Sequence, residues 1–237
     1  MVETKGRLRN PLLICGILSS LLWVGTDILA GTLWNGYSFT HQAISELSGI
    51  GAPTRPLIIP LGLAYSVLVI AFGFGVWKYS RKRALRIIGG LMVTIGTLGF
   101  IGVPLPLQLG VAEATFTNIM HSIIAGFSGF LFLLSMGFGA SACGKRFRLY
   151  SIGTLLTLIL IGAVSVFMSG ADITQHGFNE PPQWFGLIER IDIYGSMLWT
   201  ALLAIVLLRA KKEPRTIDRS TTTSKLRERY SLMNHLI

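Results

Sequence analysis

Apolar residues along this chain gather into six long runs, at about Pro11 to Leu33, Leu57 to Trp77, Ile87 to Leu107, Phe116 to Ala142, Leu149 to Gly170 and Phe185 to Leu208. Charged residues fall almost entirely between them. A hydrocarbon core about 30 Å thick takes about 20 helical residues to cross, and each run has that reach. The pattern therefore predicts six transmembrane helices. A signal peptide is the competing reading of the first run, but its apolar stretch exceeds the usual length of about 7 to 15 residues and lacks a small-x-small cleavage site. It is expected to be a retained helix with Pro11 in its first turn, where the missing N–H costs nothing.

The longest connection on the outer side, Trp34 to Pro56, has a pattern of its own. If Thr40 caps a short helix there, His41, Ser45 and Ser48 share one face, and Ile44 with Leu47 forms an adjoining apolar strip. The predicted fold is therefore all-α, a bundle of six transmembrane helices over residues 1–208 with a short interfacial helix in the first outer loop. A basic cytoplasmic tail, residues 209–237, is polar, rich in Ser and Thr, and expected to be flexible.

Composition agrees with the pattern: 51% of residues are hydrophobic and only 14% charged, against about 25% charged in soluble domains. A net charge of +10 suggests a nucleic-acid partner only until the charges are placed. Of the 21 Lys and Arg residues, all but Arg55 and Arg190 fall at the N-terminus, in the second-to-third and fourth-to-fifth connections, or in the tail. By the positive-inside rule both termini are cytoplasmic, and the plasma membrane is the expected location. The basic face is expected to attract anionic lipid, at about 1 kcal/mol per residue close to the surface, and no nucleic acid. Cys15 and Cys143 lie at the cytoplasmic ends of helices, where thiols stay reduced and a disulfide is not expected. Gly96, Gly99 and Gly102 in the third helix read as a close helix contact, and Pro104 and Pro106 as a distortion of its outer end. There is no internal sequence repeat of the kind that marks many transporters.

Candidate chemistry collects on the outer side, where three of the four histidines lie. His121 sits about five residues, or ~8 Å, inside the fourth helix. An ionisable group at that depth needs a partner and is a functional candidate; Glu46 or Glu189 would serve. Arg190, between Glu189 and Asp192, breaks the charge rule and is expected to pair across helices, with Glu46 or Asp27. Arg55 is expected to pair with Glu113 or Asp172. Both arginines alternatively suit an anionic head group. His41, His121 and His176 stand on separate segments without HxxH or HxxxH spacing, so neither a metal nor another cofactor is expected.

Several of these residues carry a family resemblance. Ile-Ser-Glu-Leu-Ser-Gly followed by Gly-Ala-Pro (residues 44 to 49 and 51 to 53), His121 near the start of the fourth helix, and Gly-Leu-Ile-Glu-Arg (186 to 190) entering the last resemble the multi-pass membrane family called domain of unknown function 998. The resemblance runs from about Pro11 to Arg209. It implies that Glu46, His121, Glu189 and Arg190 match characteristic positions of the family. One departure is the run Val-Pro-Leu-Pro-Leu-Gln, which stands where an acidic residue is expected after the proline ending the third helix. More remotely, the layout is similar to six-helix families linked to lipid remodelling, and the outer His and acid set to intramembrane ceramidase-like hydrolases.

The leading expectation is an outer-leaflet cavity, lined by His41, Glu46, Arg55, His121, Glu189 and Arg190, that binds an amphipathic lipid-like ligand and, in an enzyme version, processes it. In an intramembrane hydrolase or transferase, His121 or His41 would be the general base, Glu46 or Glu189 would orient it, and Arg55, Arg190 and Asp192 would contact substrate. One alternative is a scaffold or assembly factor whose outer polar residues form a structural salt-bridge network. A small transporter is the third reading.

Overall fold

The structure, a computed structural model, describes residues 9–79, 82–105, 107–108, 115–176 and 184–210. Six helices result: α1 (Arg9–Leu33), α2 (Arg55–Tyr79), α3 (Arg83–Gly102), α4 (Phe116–Ala142), α5 (Lys145–His176) and α6 (Phe185–Arg209). All six are long and apolar enough to cross a membrane. The chain is an integral membrane protein, and its exterior agrees: Leu21, Leu149, Leu160 and Phe167 are 62% exposed or more, as side chains facing lipid must be. The tail expected after residue 209 lies outside the described residues beyond Ala210.

Each helix packs on its neighbours in sequence, and α6 closes the ring against α1. One end of this ring holds the start of α1 and the end of α6, and is called the terminal end below; the opposite end is the mouth. Toward the terminal end the ring is solid. Leu13, Phe72, Val76, Ile88, Met92 and Met136 are inaccessible there, and Trp199 crosses the centre, donating from its indole N–H to Ser151 Oγ at 3.0 Å. A Cβ on Gly139 would stand 2.6 Å from the Trp199 ring, so this glycine makes the ring's seat.

The closest helix contact joins α2 and α3. A Cβ on Gly89 would come within 2.7 Å of the Gly73 carbonyl, and one on Gly73 within 2.8 Å of the Gly89 carbonyl. Gly96, expected from the sequence to pack closely, does so: its Cβ would meet the Ser66 carbonyl at 2.8 Å. Gly89→Leu is expected to push the two backbones apart and lower stability by about 1 to 3 kcal/mol, measured by thermal unfolding in detergent. An unchanged melting temperature would contradict the packing described.

Two sequence expectations change here. The third helix does not run on to Leu107 with a proline-distorted end. It stops at Gly102, where Val103 N–H makes the last rung to Gly99 O at 3.0 Å, because Pro104 has no N–H with which to continue. The short helix of the first loop is a 3-10 helix of five residues, Ile44–Ser48, preceded by Ala43 and not by Thr40. With three residues per turn, Ile44 and Leu47 stack on one side and are buried against Ala30 and Ile58. The face expected to join His41 to Ser45 and Ser48 therefore does not form.

The mouth connections are tied together. Ile50 N–H donates to Leu107 O at 2.8 Å, and Gln108 N–H donates to Asn118 Oδ1 at 2.8 Å. Thr115 caps α4, accepting from Asn118 N–H.

Candidate functional site

The mouth is built around Arg190, whose guanidinium is 6% exposed. Its Nε and Nη2 each donate to one carboxylate oxygen of Asp27, both at 3.0 Å, a bidentate pair between α6 and α1. Nη2 also donates to the Tyr37 hydroxyl at 2.6 Å. Nη1 reaches the carbonyls of Phe39, Gln42 and Gly186 at 2.7, 2.9 and 3.0 Å. A guanidinium has five N–H donors, and here all have acceptors. The Tyr37 hydroxyl in turn donates to Ala43 O at 2.7 Å. Burial, the largest influence on it, pushes the Tyr37 hydroxyl up to about 12, so it stays a neutral donor at any physiological pH. Tyr194 completes the shell with a 2.6 Å bond to Asp27.

This geometry explains the run Gly186 to Arg190 residue by residue. Gly186 leaves room for the Gln42 and Phe39 carbonyls, which a Cβ would strike. Leu187 N–H donates to Thr40 O at 3.1 Å, Glu189 accepts from Ile44 N–H at 2.6 Å, and Arg190 gathers the loop carbonyls. The start of α6 thus clamps the whole first loop.

The expected site residues divide accordingly. Arg190 pairs with Asp27, one of the two partners expected, and not with Glu46. Glu46 is spent within its own turn, accepting from Ala43 N–H at 2.9 Å and from Gln42 Nε2 at 3.0 Å. Arg55 bonds backbone carbonyls, those of Ser48 and Pro104. Its expected partner Glu113 lies outside the described residues, as do Glu180 and the side chains of Asp172 and His176. His41 is exposed at the loop surface, with its backbone N–H on Ser38 Oγ.

Beneath the 3-10 helix, between the mouth and the solid half, the ring holds a cavity of about 730 Å³ to which all six helices contribute, and which opens sideways past the exposed Ala125, Gly126, Gly129 and Phe130 of α4. Its wall is mainly apolar, with Ile95, Leu98, Phe132 and Met197 among its side chains. His121, Glu189 and Asp192 face it; His41, Glu46, Arg55 and Arg190 do not. The sequence set is thus split between a clamp and a cavity that the clamp roofs.

The cavity's polar atoms are its unusual feature. Among the described residues, three buried side-chain nitrogen or oxygen atoms lack a hydrogen-bond partner: Trp23 Nε1, His121 Nδ1 and Asp192 Oδ1. All three residues line this one cavity. Buried polar atoms are satisfied in the large majority of cases, and each left bare costs about 1 to 3 kcal/mol. The His121 ring has the Leu105 backbone as a hydrogen-bonding neighbour, and among the described residues no carboxylate, Glu46 and Glu189 included, is hydrogen-bonded to it to orient it as a base. Among the described residues no three His, Cys, Asp or Glu side chains converge as a metal site.

Trp23 escaped the sequence reading, although a signal existed. Tryptophans of membrane helices concentrate at the two interfaces, whereas Trp23 lies near the middle of α1 and needs a partner for its N–H there.

Comparison with curated proteins gives no match, and neither does comparison with solved structures. The profile of one family, described as protein of unknown function (DUF998), matches residues 17–206. That span takes in the ring from the third turn of α1 to near the end of α6, with the 3-10 helix, the Arg190 clamp and the cavity. The chain belongs to the DUF998 family.

Proposed function

We propose that this protein binds an amphipathic, lipid-like ligand in the cavity beneath the 3-10 helix, with the mouth on the non-cytoplasmic side of the plasma membrane. The observation that carries the proposal is the coincidence of Trp23 Nε1, His121 Nδ1 and Asp192 Oδ1, all unpartnered, on one mainly apolar cavity. Ligand pockets of about 300 to 1,000 Å³ with apolar walls and a few placed polar groups are the usual form of small-molecule sites, and about 730 Å³ falls in that range. An alkyl chain would fill the apolar part, and a polar head would lie against the Trp23, His121 and Asp192 side chains, whose buried polar atoms reach it by small side-chain rotations. Binding is favoured over hydrolysis because among the described residues no carboxylate orients His121, and His41 lies outside the cavity.

The Arg190 clamp favours a second reading, a non-enzymatic scaffold whose mouth is held shut by buried polar contacts. Native mass spectrometry of the purified protein separates the two. The parent is expected to carry a co-purified amphiphile. His121→Leu should lower its occupancy about tenfold, the loss of one or two net hydrogen bonds, and Gly129→Leu should abolish it. Gly129 lines the cavity, and a Cβ there meets nothing within 4 Å, so the larger side chain takes up ligand space without a clash at its base. His41→Ala should retain the ligand. A parent free of amphiphile, or equal occupancy in all the variants, would favour the scaffold.

A further inference from the structure

The charge of the cavity wall narrows the ligand class. Resting on the proposed binding reading, we infer that the head group is cationic: the ligand is a long-chain amine whose ammonium group is taken by Asp192 in a cavity that also presents the Trp23 ring.

The lining residues include three carboxylates, those of Asp27, Glu189 and Asp192, and among the described residues no lysine or arginine. Two carboxylates are already served. Asp27 holds the bidentate pair with Arg190, and Glu189 accepts the Ile44 N–H. Asp192 remains, with Oδ1 buried and unpartnered. A partly buried carboxylate without a counter-charge is a costly arrangement in a low dielectric; a cationic head offsets that cost with the group ionised, whereas beside a neutral head the group is relieved only by taking up a proton. Space beside it is available, because α5 presents Gly162, where even a Cβ would lie 3.9 Å from Asp192 Oδ2.

The aromatic groups point the same way. Trp23 and Tyr65 both line the cavity, with ring centroids 4.7 Å apart. A tryptophan face is the best side-chain surface for an ammonium ion.

An anionic head, by contrast, finds no donor of full charge. Arg190 has every N–H committed to Asp27, Tyr37 and three carbonyls, and Arg55 binds the carbonyls of Ser48 and Pro104. Neither faces the cavity. The arginines that suggest an anion site in the sequence are structural in the fold.

The test uses the full chain in phosphatidylcholine nanodiscs at pH 7 and three probes of equal chain length: hexadecylamine, hexadecanol and hexadecyl sulfate. Binding is read by native mass spectrometry and corrected for partitioning into empty discs. The amine is expected to bind at least about tenfold tighter than the alcohol, one charge-assisted contact, and the sulfate weakest. Asp192→Asn should bring the amine down to the level of the alcohol and leave the alcohol unchanged. The ranking of probes in the parent needs no variant, so a poorly folded Asp192→Asn protein would not blunt the test. Equal binding of all three probes, or tightest binding of the sulfate, overturns the cationic head and leaves a lipid-binding cavity standing. Binding of none overturns the cavity reading and this inference together.

Discussion

Arg190→Met is expected to destabilise the folded protein by about 3 to 5 kcal/mol, the typical cost of removing one member of a buried ion pair. The physical reason is what remains. Asp27, 1% exposed, would keep its charge inside the ring with only Tyr194 to bond it, and the carbonyls of Phe39 and Gln42 would lose a common donor. Arg190→Lys should recover part of the loss but not all, since an ammonium has three donors and cannot reproduce the planar fork on Asp27. Asp27→Leu combined with Arg190→Met should be closer to the parent than Arg190→Met alone, because no uncompensated charge is left. His41→Ala, at an exposed position, should stay within about 0.5 kcal/mol. Unfolding titrations in mixed detergent micelles would measure the series. A loss below about 1 kcal/mol for Arg190→Met would mean that the clamp does not hold the mouth together.

The six spans were legible because lipid imposes length and apolarity on every one of them, and no other fold class satisfies both over six runs. Their ends were less so. The fifth run was expected at Leu149 to Gly170, yet α5 spans Lys145–His176. Lys145, Arg146 and Arg148 are good helix formers whose long stems reach outward from a helical backbone, and a hydropathy boundary misplaces them as loop. The Arg190 exception to the charge rule pointed to a pairing across helices, with Asp27 or Glu46 as partner, and the fold selects Asp27.

The cavity was not legible in the same way. It is a volume left by helix packing, and no local pattern states where packing stops. His121 and Asp192 could be picked as intramembrane ionisable groups, about 8 and 10 Å from the mouth ends of their helices at 1.5 Å per residue. That they face one space with Trp23 depends on the ring order of the helices, which the sequence leaves open. His41 was grouped with Ser45 and Ser48 by a face drawn with the α-helical period, whereas the segment Ile44–Ser48 has a period of three and does not include His41.

Gly186→Ala provides the sharper test of how the loop and α6 depend on each other. A methyl group is ordinarily an advantage in a helix, where Ala exceeds Gly by about 0.5 to 1 kcal/mol. Gly126→Ala should follow that rule, since a Cβ at Gly126 meets nothing within 4 Å. At Gly186 the same methyl would strike the Gln42 carbonyl and stand 2.9 Å from Phe39 O. These neighbours are backbone atoms, so relief requires the loop itself to move. Such a movement takes the Gln42 and Phe39 carbonyls off Arg190, stretches the 3.1 Å bond from Leu187 to Thr40, and draws Ile44 from Glu189. The expected result is a loss of about 3 kcal/mol, overpacking of about 1 to 3 kcal/mol compounded by hydrogen bonds worth about 1 kcal/mol each. Because the methyl acts through the contacts that Arg190 makes, Gly186→Ala and Arg190→Met should be strongly non-additive, the double variant losing little more than Arg190→Met alone. Protease cleavage between Trp34 and Thr54 should rise in both. Full additivity, with the loop still protected in Gly186→Ala, would mean that the glycine and the arginine serve separate contacts and that the first loop is held by its own 3-10 turn.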